Sequence, residues 1–451
     1  MNIGIIVWSL LENKGGVERV GCDLASAMLD RGHRVTLFCK RMPASRHPAF
    51  PVPDGAVVQP LPLDYDTDCI KDVAAAIARH NLDVMAALFS WESLLWFPCL
   101  LKGSGIPLLV SEHSAPEYIN SKWNAYERYC CLDTADGIHI LLPSYTEEYP
   151  ERFHNRISVI PNPAFLPSAP SFARPASARR TIIAAGRFAE DVKQFSFLLK
   201  AFALLKGRWP DWDLEICGDG EAMPAYQKLA GDLGLGNRLR LPGMVDDIAA
   251  RYAAGDIFCI PSKFEGFPLV AIEAQAFGLA AVGFAACTGT NEIITHGENG
   301  LLADAMTPES LALSLEILMR DEGLRRRMGE RGKAMLQRYT PQSVYDAWEA
   351  LLHKTAGRKG RTRIMELETM SGPLDAETIA AKDLLARPHP FDRSRYLDMH
   401  ERLKKEGKES PFSEKEAVRF LKKQKRFGFP GYRAPLTEIR RAGRKLLHAF
   451  R

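Results

Sequence analysis

Short runs of consecutive apolar residues recur along the first 300 residues and predict two series of β-strands. Most of these runs are apolar at every position rather than at alternate ones, which is typical of parallel strands buried on both faces. The first series covers residues 3–8, 34–39, 83–89, 107–110, 137–142 and 157–160, and the second covers 181–185, 214–217, 257–261 and 280–284.

Helical patterns lie between the predicted strands. In residues 17–31 the apolar positions recur on one face, and Gly32 stands where the predicted helix ends. Alternating strands and helices predict a doubly wound α/β fold. A stretch rich in Pro, Ser and Ala, residues 164–180, separates the two strand series and predicts a linker.

Two Rossmann-like domains follow from this division, one over residues 1–163 and one over 181–340. Carboxyl ends of parallel strands commonly border ligand sites, so we expect a ligand cleft between the two domains. A further helix is expected over residues 341–357. Residues 358–451 are expected to form a basic, mainly helical extension.

Composition places the chain among ordinary globular proteins. Of its 451 residues, 46% are hydrophobic and 25% charged. No apolar run approaches the roughly 20 residues that a membrane-spanning helix needs, and the start lacks the basic region of a secretory signal. The nine cysteines are scattered without a C-x-x-C motif. We therefore expect free thiols, a reducing cytoplasm, and neither disulfides nor zinc.

Charge is unevenly distributed along the chain. Residues 358–451 hold 24 Lys and Arg against 13 Asp and Glu, a net charge of +11. Because the whole chain carries +4, the remainder carries −7. A basic extension on an acidic body predicts an anionic partner.

The end of that extension, residues 436–451, has helical periodicity. Its apolar residues fall on one side and its basic residues on the other, including Ile439, Leu446 and Phe450 against Arg440, Arg444 and Lys445. This pattern favours an anionic membrane surface. The alternative is a helix docked on the acidic body. Nucleic acid is not expected, since the extension contains no nucleic-acid-binding module.

Several glycine-containing loops follow predicted strands and suit phosphate binding. Gly15 and Gly16 precede the first helix, where free N–H groups and the helix dipole favour an anion. Arg187 and Lys193 follow the first strand of the second series and could clamp a diphosphate. Gly218 and Gly220 would allow a nucleotide to approach the backbone. Each loop, taken alone, is equally compatible with an ordinary turn or a solvated surface.

The most informative segment is residues 261–274, PSKFEGFPLVAIEA. Pro268 fits the first turn of a helix, so Glu265 precedes that helix and Glu273 lies within it. Both carboxylates could face one cleft from different heights. Ser262 and Glu265 have the spacing of a capping box, but the helix is expected to start too late for that explanation.

In chain order these motifs resemble glycosyltransferase family 4, retaining enzymes of the two-domain GT-B fold. Glu265 and Glu273 have the Glu-x7-Glu spacing of that class. The resemblance covers about residues 1–354 and also includes residues 161–163, 288–294 and 300–302. It implies that the helix over residues 341–357 crosses back to the first domain.

The resemblance implies a role for each matching residue. The implied catalytic residues are Glu265 at the donor sugar, Arg187 and Lys193 at the diphosphate, and His113 beside the sugar. Glu273 would bind the ribose. The implied donor-binding set is Gly15, Gly16, Gly218, Gly220, Gly266, Phe267, Pro268, Leu269 and Glu273. Gln194 departs from the pattern, because the family often has Gly after this Lys.

The expected activity is retaining transfer of a hexose or N-acetylhexosamine from a nucleotide sugar, UDP-linked, to a growing lipid-linked surface glycan. No cofactor or metal is expected, since the two cations could stabilise the leaving group. Asp64 and Asp66 form a D-x-D motif that metal-dependent enzymes use, but their surroundings favour a solvated loop. The expected location is the inner face of the plasma membrane. The alternatives are a sugar-nucleotide epimerase of the same fold and a non-catalytic protein that binds nucleotide sugars or nucleic acid.

Overall fold

The fold contains two parallel β-sheets, each accompanied by helices. The structure is a computed structural model that describes residues 1–7, 10, 16–40, 51–61, 70–88, 105–122, 128, 132, 135–166 and 179–358. The predicted basic extension from residue 359 onward lies outside the described residues, as do residues 167–178 of the predicted linker.

The first sheet has seven strands, in the order β3-β2-β1-β4-β5-β6-β7. The strands are β1 (Asn2–Val7), β2 (Arg34–Lys40), β3 (Val57–Leu61), β4 (Val84–Leu88), β5 (Leu108–Ser111), β6 (Gly137–Ile140) and β7 (Ile157–Val159). The accompanying α-helices are α1 (Gly16–Asp30), α2 (Ile70–Ala78) and α3 (Pro116–Lys122), and two 3₁₀ helices span Pro143–Glu148 and Glu151–Arg156. Strands β1, β4 and β5 are almost fully buried, which explains their unbroken apolar sequences.

The second sheet has six strands, in the order β10-β9-β8-β11-β12-β13, and all its pairs are parallel. The strands are β8 (Arg180–Ala185), β9 (Trp212–Cys217), β10 (Leu239–Gly243), β11 (Ile257–Ile260), β12 (Ala280–Phe284) and β13 (Gly300–Ala303). The helices are α4 (Glu190–Lys193), α5 (Phe195–Leu205), α6 (Met223–Asp232), α7 (Ile248–Ala254), α8 (Leu269–Ala276), α9 (Thr288–Ile293), α10 (Pro308–Arg320), α11 (Glu322–Met335) and α12 (Pro341–Ala356).

A hydrophobic core of large aromatic side chains lies against the second sheet. Phe188 and Phe195 both meet Tyr226 edge-on, and Phe202 and Trp212 are fully buried beside them. Burying side chains of this size supplies much of the stability of such a layer. This packing stabilises strands β8, β9 and β11, from which the carboxyl-terminal loops extend.

The described chain forms two compact units. The first comprises Met1–Glu112, Lys122–His139 and the chain from Ala350, and the second comprises His113–Ser121 and Ile140–Glu349. The prediction of two doubly wound parallel α/β sheets is confirmed. The predicted boundaries at residues 163, 181 and 340 stay predictions.

Two smaller expectations concern cysteines and membrane helices. Cys39, Cys217 and Cys259 are buried free thiols, as their apolar surroundings predict. Within the described ranges, no helix is both long and apolar enough to cross a membrane.

Candidate active site

Glu265 lies in the loop that follows β11, residues 261–268, and one of its carboxylate oxygens is held from two sides. The ammonium of Lys193 donates to Oε1 over 2.7 Å, and the hydroxyl of Ser262 donates to the same oxygen over 2.6 Å. The other oxygen, Oε2, accepts no hydrogen bond from any residue that the structure describes. Glu265 is therefore oriented by the protein and keeps one oxygen for a ligand hydroxyl.

The backbone of Glu265 is fixed as tightly as its side chain. The phenol of Tyr145 donates to the Glu265 carbonyl oxygen over 2.5 Å. Gly289 packs so closely that a Cβ there would lie 2.1 Å from the same oxygen, and a Cβ on Gly266 would lie 2.1 Å from the carbonyl oxygen of His113. Glycine is required at both positions because another backbone segment occupies the space of a side chain.

A group of backbone N–H donors lies at Glu265 and in the residues that follow it. The N–H groups of Glu265, Gly266, Phe267, Leu269 and Val270 donate to no other residue in the described part of the chain. Leu269 and Val270 begin α8, where the first N–H groups have no partner within the helix. Such a row of donors at a helix start suits phosphate or sugar oxygens.

The loop after β8, residues 186–189, is shaped by close backbone contacts with the loop after β9. Gly186, Gly218 and Gly220 all have positive φ, at 153°, 141° and 154°. A Cβ on Gly218 would lie 1.9 Å from the Gly186 carbonyl oxygen. These glycines therefore serve the packing of one loop on the other.

The side chain of Arg187, unlike the backbone of its loop, is not held by close contacts among the described residues. It is exposed and forms no ion pair or side-chain hydrogen bond with the residues that the structure describes. It is therefore available to an anionic ligand without losing an internal partner.

Lys193 ends the short helix α4, and the following residue explains how its position is kept. Gln194 has φ 47° and ψ 40°, the left-handed conformation, between α4 and α5. Gly adopts this conformation at lower cost, which is consistent with the Gly that the family often has at this position.

The short helix α4 is also tied to its neighbours. Glu190 accepts hydrogen bonds from Ser196 and Tyr226, joining α4 to α5 and α6. The backbone N–H of Lys263 also donates to the Val192 carbonyl over 2.8 Å, which links the two loops.

Glu273 and Phe267 occupy different surroundings. Glu273 is partly buried on α8, and the Tyr252 hydroxyl donates to its Oε2 over 3.4 Å. The ring of Phe267 is buried against Tyr339, with centroids 5.4 Å apart. Phe267 can therefore offer a ligand its backbone but not its ring.

His113 is partly buried at the end of β5, and burial lowers the pKa of its imidazole to about 4. It is neutral at pH 7 and can exchange hydrogen bonds with uncharged hydroxyls. The preceding residue, Glu112, is anchored by Arg128 through two hydrogen bonds of 2.9 and 2.6 Å. This buried pair fixes the chain just before His113.

The remaining predicted residues are distributed as follows. Gly16 is exposed at the first residue of α1, in the first unit. Pro268 directly precedes α8, whose first residue is Leu269. Gly15, Asp64 and Asp66 lie outside the described residues.

Comparison with known families settles the class of protein. Residues 171–335 match the family described as Glycosyl transferases group 1, and residues 14–164 match Glycosyltransferase Family 4. The two matches together take in both predicted domains. The chain is a group 1 glycosyltransferase.

Several relatives of this glycosyltransferase come from bacteria. An uncharacterised glycosyltransferase of Haemophilus influenzae is 27% identical over 78% of this chain and 98% of its own length. A Campylobacter jejuni α-1,4-N-acetyl-D-galactosaminyltransferase, named for an undecaprenol-linked acceptor, is 25% identical over 61% of this chain and 76% of its own. Anabaena HepE in complex with UDP-glucose shares the fold, with a TM-score of 0.64 and 19% identity over 78% of this chain and 99% of that one.

The sequence did not reveal two contributors to the glycosyltransferase site. Neither the capping-box spacing nor the family motif assigns Ser262 a role at the site, but its hydroxyl binds the Glu265 carboxylate ahead of a helix that starts at Leu269. Tyr145 is 120 residues from Glu265 in the chain. Periodicity cannot reveal a contact of such range.

Proposed function

We propose that this glycosyltransferase moves a hexose or N-acetylhexosamine from a UDP-sugar to a lipid-linked surface glycan, with retention of anomeric configuration. The observation that carries the proposal is the oriented carboxylate of Glu265, whose Oε1 is held by Lys193 and Ser262 while Oε2 is left for a ligand. The UDP-glucose in the Anabaena neighbour and the undecaprenol in the Campylobacter relative's name support the donor and acceptor classes.

The diphosphate is assigned to Arg187, Lys193 and the backbone donors at the start of α8. Transfer breaks the bond between the anomeric carbon and the phosphate oxygen, and negative charge develops on the departing diphosphate. A lysine ammonium has three donors, so Lys193 can keep Glu265 and still bind phosphate. Arg187 adds a planar fork that matches phosphate geometry. The positive charges of Lys193 and Arg187 could stabilise the leaving diphosphate in place of a metal ion.

The sugar and the ribose are assigned to the two carboxylates. Glu265 Oε2 would accept a hydroxyl of the transferred sugar, and neutral His113 would contact the sugar beside it. Glu273 would accept hydrogen bonds from the ribose hydroxyls, while the Tyr252 hydroxyl donates to Oε2 of the same carboxylate.

The proposed lipid-linked acceptor is supported by the relatives and by the net charge of the C-terminal residues. A lipid-linked acceptor places the enzyme at the inner face of the plasma membrane. The net charge of +11 on residues 358–451 would attract anionic lipid there.

A donor screen followed by product analysis tests this function. Thermal shift with UDP-, GDP- and ADP-sugars would identify the donor, and incubation with lipid extract in EDTA would show transfer. We expect a UDP-sugar to stabilise the protein and the new linkage to keep the anomeric configuration of the donor. An inverted linkage, or conversion of the UDP-sugar without any acceptor, would contradict the proposal; the latter result would indicate an epimerase.

A further inference from the structure

Tyr145 meets the Glu265 loop from a distant part of the chain. It lies in the 3₁₀ helix Pro143–Glu148, between β6 and β7, and its side chain is 2% exposed. Its hydroxyl donates to the Glu265 carbonyl over 2.5 Å. No predicted function uses this residue.

We infer that Tyr145 is a positioning residue that sets the rate of transfer by holding the Glu265–Gly266 peptide in one orientation. This inference rests on the proposed function, because it concerns the same Glu265. The substrate class is that of the proposed function, and the role inferred for Tyr145 is to orient the peptide rather than to bind the substrate.

The argument begins with the planarity of the peptide bond. In a trans peptide the carbonyl and the following N–H point in opposite directions. By holding the Glu265 carbonyl, Tyr145 therefore also directs the N–H of Gly266, one of the donors without a partner in the described residues. The same contact fixes the backbone from which the Glu265 carboxylate extends.

Other contacts limit Glu265 but do not replace this bond. Ser262 and Lys193 act on the carboxylate, several bonds from the peptide. Gly289 restricts the carbonyl by close packing, which gives no direction to the carbonyl dipole. A hydrogen bond adds that direction, and tyrosine is the side chain that provides it here.

The phenol stays a donor over the working pH range. Burial raises its pKa, and the neighbouring Cys287 and the carboxylates of Glu117, Glu265 and Glu292 raise it further. A protonated phenol is the form that can donate to a carbonyl.

The test is Tyr145→Phe in the full chain, with Tyr149→Phe as the matched control. Tyr149 is a buried tyrosine at the end of the same 3₁₀ helix. For Tyr145→Phe we expect kcat to fall about tenfold, as loss of roughly 1.4 kcal/mol of transition-state stabilisation would give, while Kd for UDP stays within twofold. Tyr149→Phe should keep kcat within about twofold of the wild type. Thermal melting of both variants shows whether either one alters folding.

A double-mutant cycle separates positioning from a merely structural role. In a Glu265→Gln background, adding Tyr145→Phe should lower kcat by clearly less than tenfold, because the carboxylate that Tyr145 positions is already impaired and only the effect on the Gly266 N–H remains. Unchanged kcat in Tyr145→Phe, or a full tenfold loss in both backgrounds, would overturn the inference. Failure of the proposed function is distinct, because the wild type itself would then give no retained transfer of a sugar from a UDP-sugar to an acceptor.

Discussion

The loops after β11 and β8 carry the two parts of the proposed chemistry, and the protein holds their key side chains in opposite ways. Glu265 is fixed through its carboxylate by Lys193 and Ser262 and through its carbonyl by Tyr145. Arg187 is exposed and has no side-chain partner among the described residues. The proposed sugar-binding part of the site is therefore oriented in advance, whereas the proposed phosphate-binding part would take its final arrangement from the donor.

This difference has an electrostatic reason. A buried carboxylate without partners is costly, so Glu265 has to be compensated within the protein. An exposed guanidinium is solvated by water and can wait for a phosphate at little cost. A specific sugar hydroxyl has to be recognised at the proposed position of Glu265, whereas an exposed guanidinium can pair with a diphosphate in several orientations.

The largest effect is expected for Lys193, which binds Glu265 and is also proposed to bind the diphosphate. Lys193→Ala removes a cation from the leaving group and leaves Glu265 Oε1 with Ser262 alone, so kcat should fall by about 10²-fold or more. Initial rates at saturating donor measure this. Lys200→Ala, an exposed lysine on α5, is the control and should keep normal turnover. Near-normal turnover in the Lys193 variant would remove it from the mechanism.

A smaller effect is expected for Gly289→Ala, which should lower the stability of the protein as well as its activity. The added Cβ would meet the Glu265 carbonyl at 2.1 Å and push it from Tyr145, so we expect the free energy of unfolding to fall by about 1–3 kcal/mol. Urea unfolding measures the change. Gly231→Ala in α6, where the new Cβ meets nothing within 4 Å, should be neutral or stabilise by no more than about 1 kcal/mol. Equal behaviour of the two variants would show that the Glu265 loop is not tightly held.

The smallest effect concerns His113 and pH. Its folded pKa of about 4 lies below the usual 6.5, so the unfolded chain binds this proton more readily. His113 therefore contributes stability that is complete above pH 6.5 and is lost as pH falls toward 4. His113→Gln should flatten the pH dependence of the free energy of unfolding in that window. An unchanged slope would mean that His113 is hydrated rather than desolvated.

The sequence predicted the central strands well and the edge strands poorly. Residues 280–284 were predicted and observed as β12, because a strand buried on both faces is apolar throughout. The missed strands β3, β10 and β13 all lie at sheet edges. β3 and β10 each contain a proline and exposed positions, which interrupt the apolar pattern. β13 is buried but only four residues long.

The candidate site shows the same division between local and distant information. Ser262 and Glu265 share one short segment, so their spacing along the chain already suggests that their side chains meet. The pairing of Lys193 with Glu265 joins residues 72 positions apart, and that of Tyr145 with Glu265 joins residues 120 apart. Only the packing of loops from different strands brings these groups together.

The most direct test of the division between the two loops compares the affinities of UDP and of the donor UDP-sugar by calorimetry. Arg187→Ala should weaken both ligands by the same factor, because both carry the diphosphate. Glu265→Gln should weaken the UDP-sugar and leave UDP unchanged, because its partner is the sugar. If Glu265→Gln weakened UDP as much as the UDP-sugar, the assignment of the sugar to the loop after β11 would be wrong.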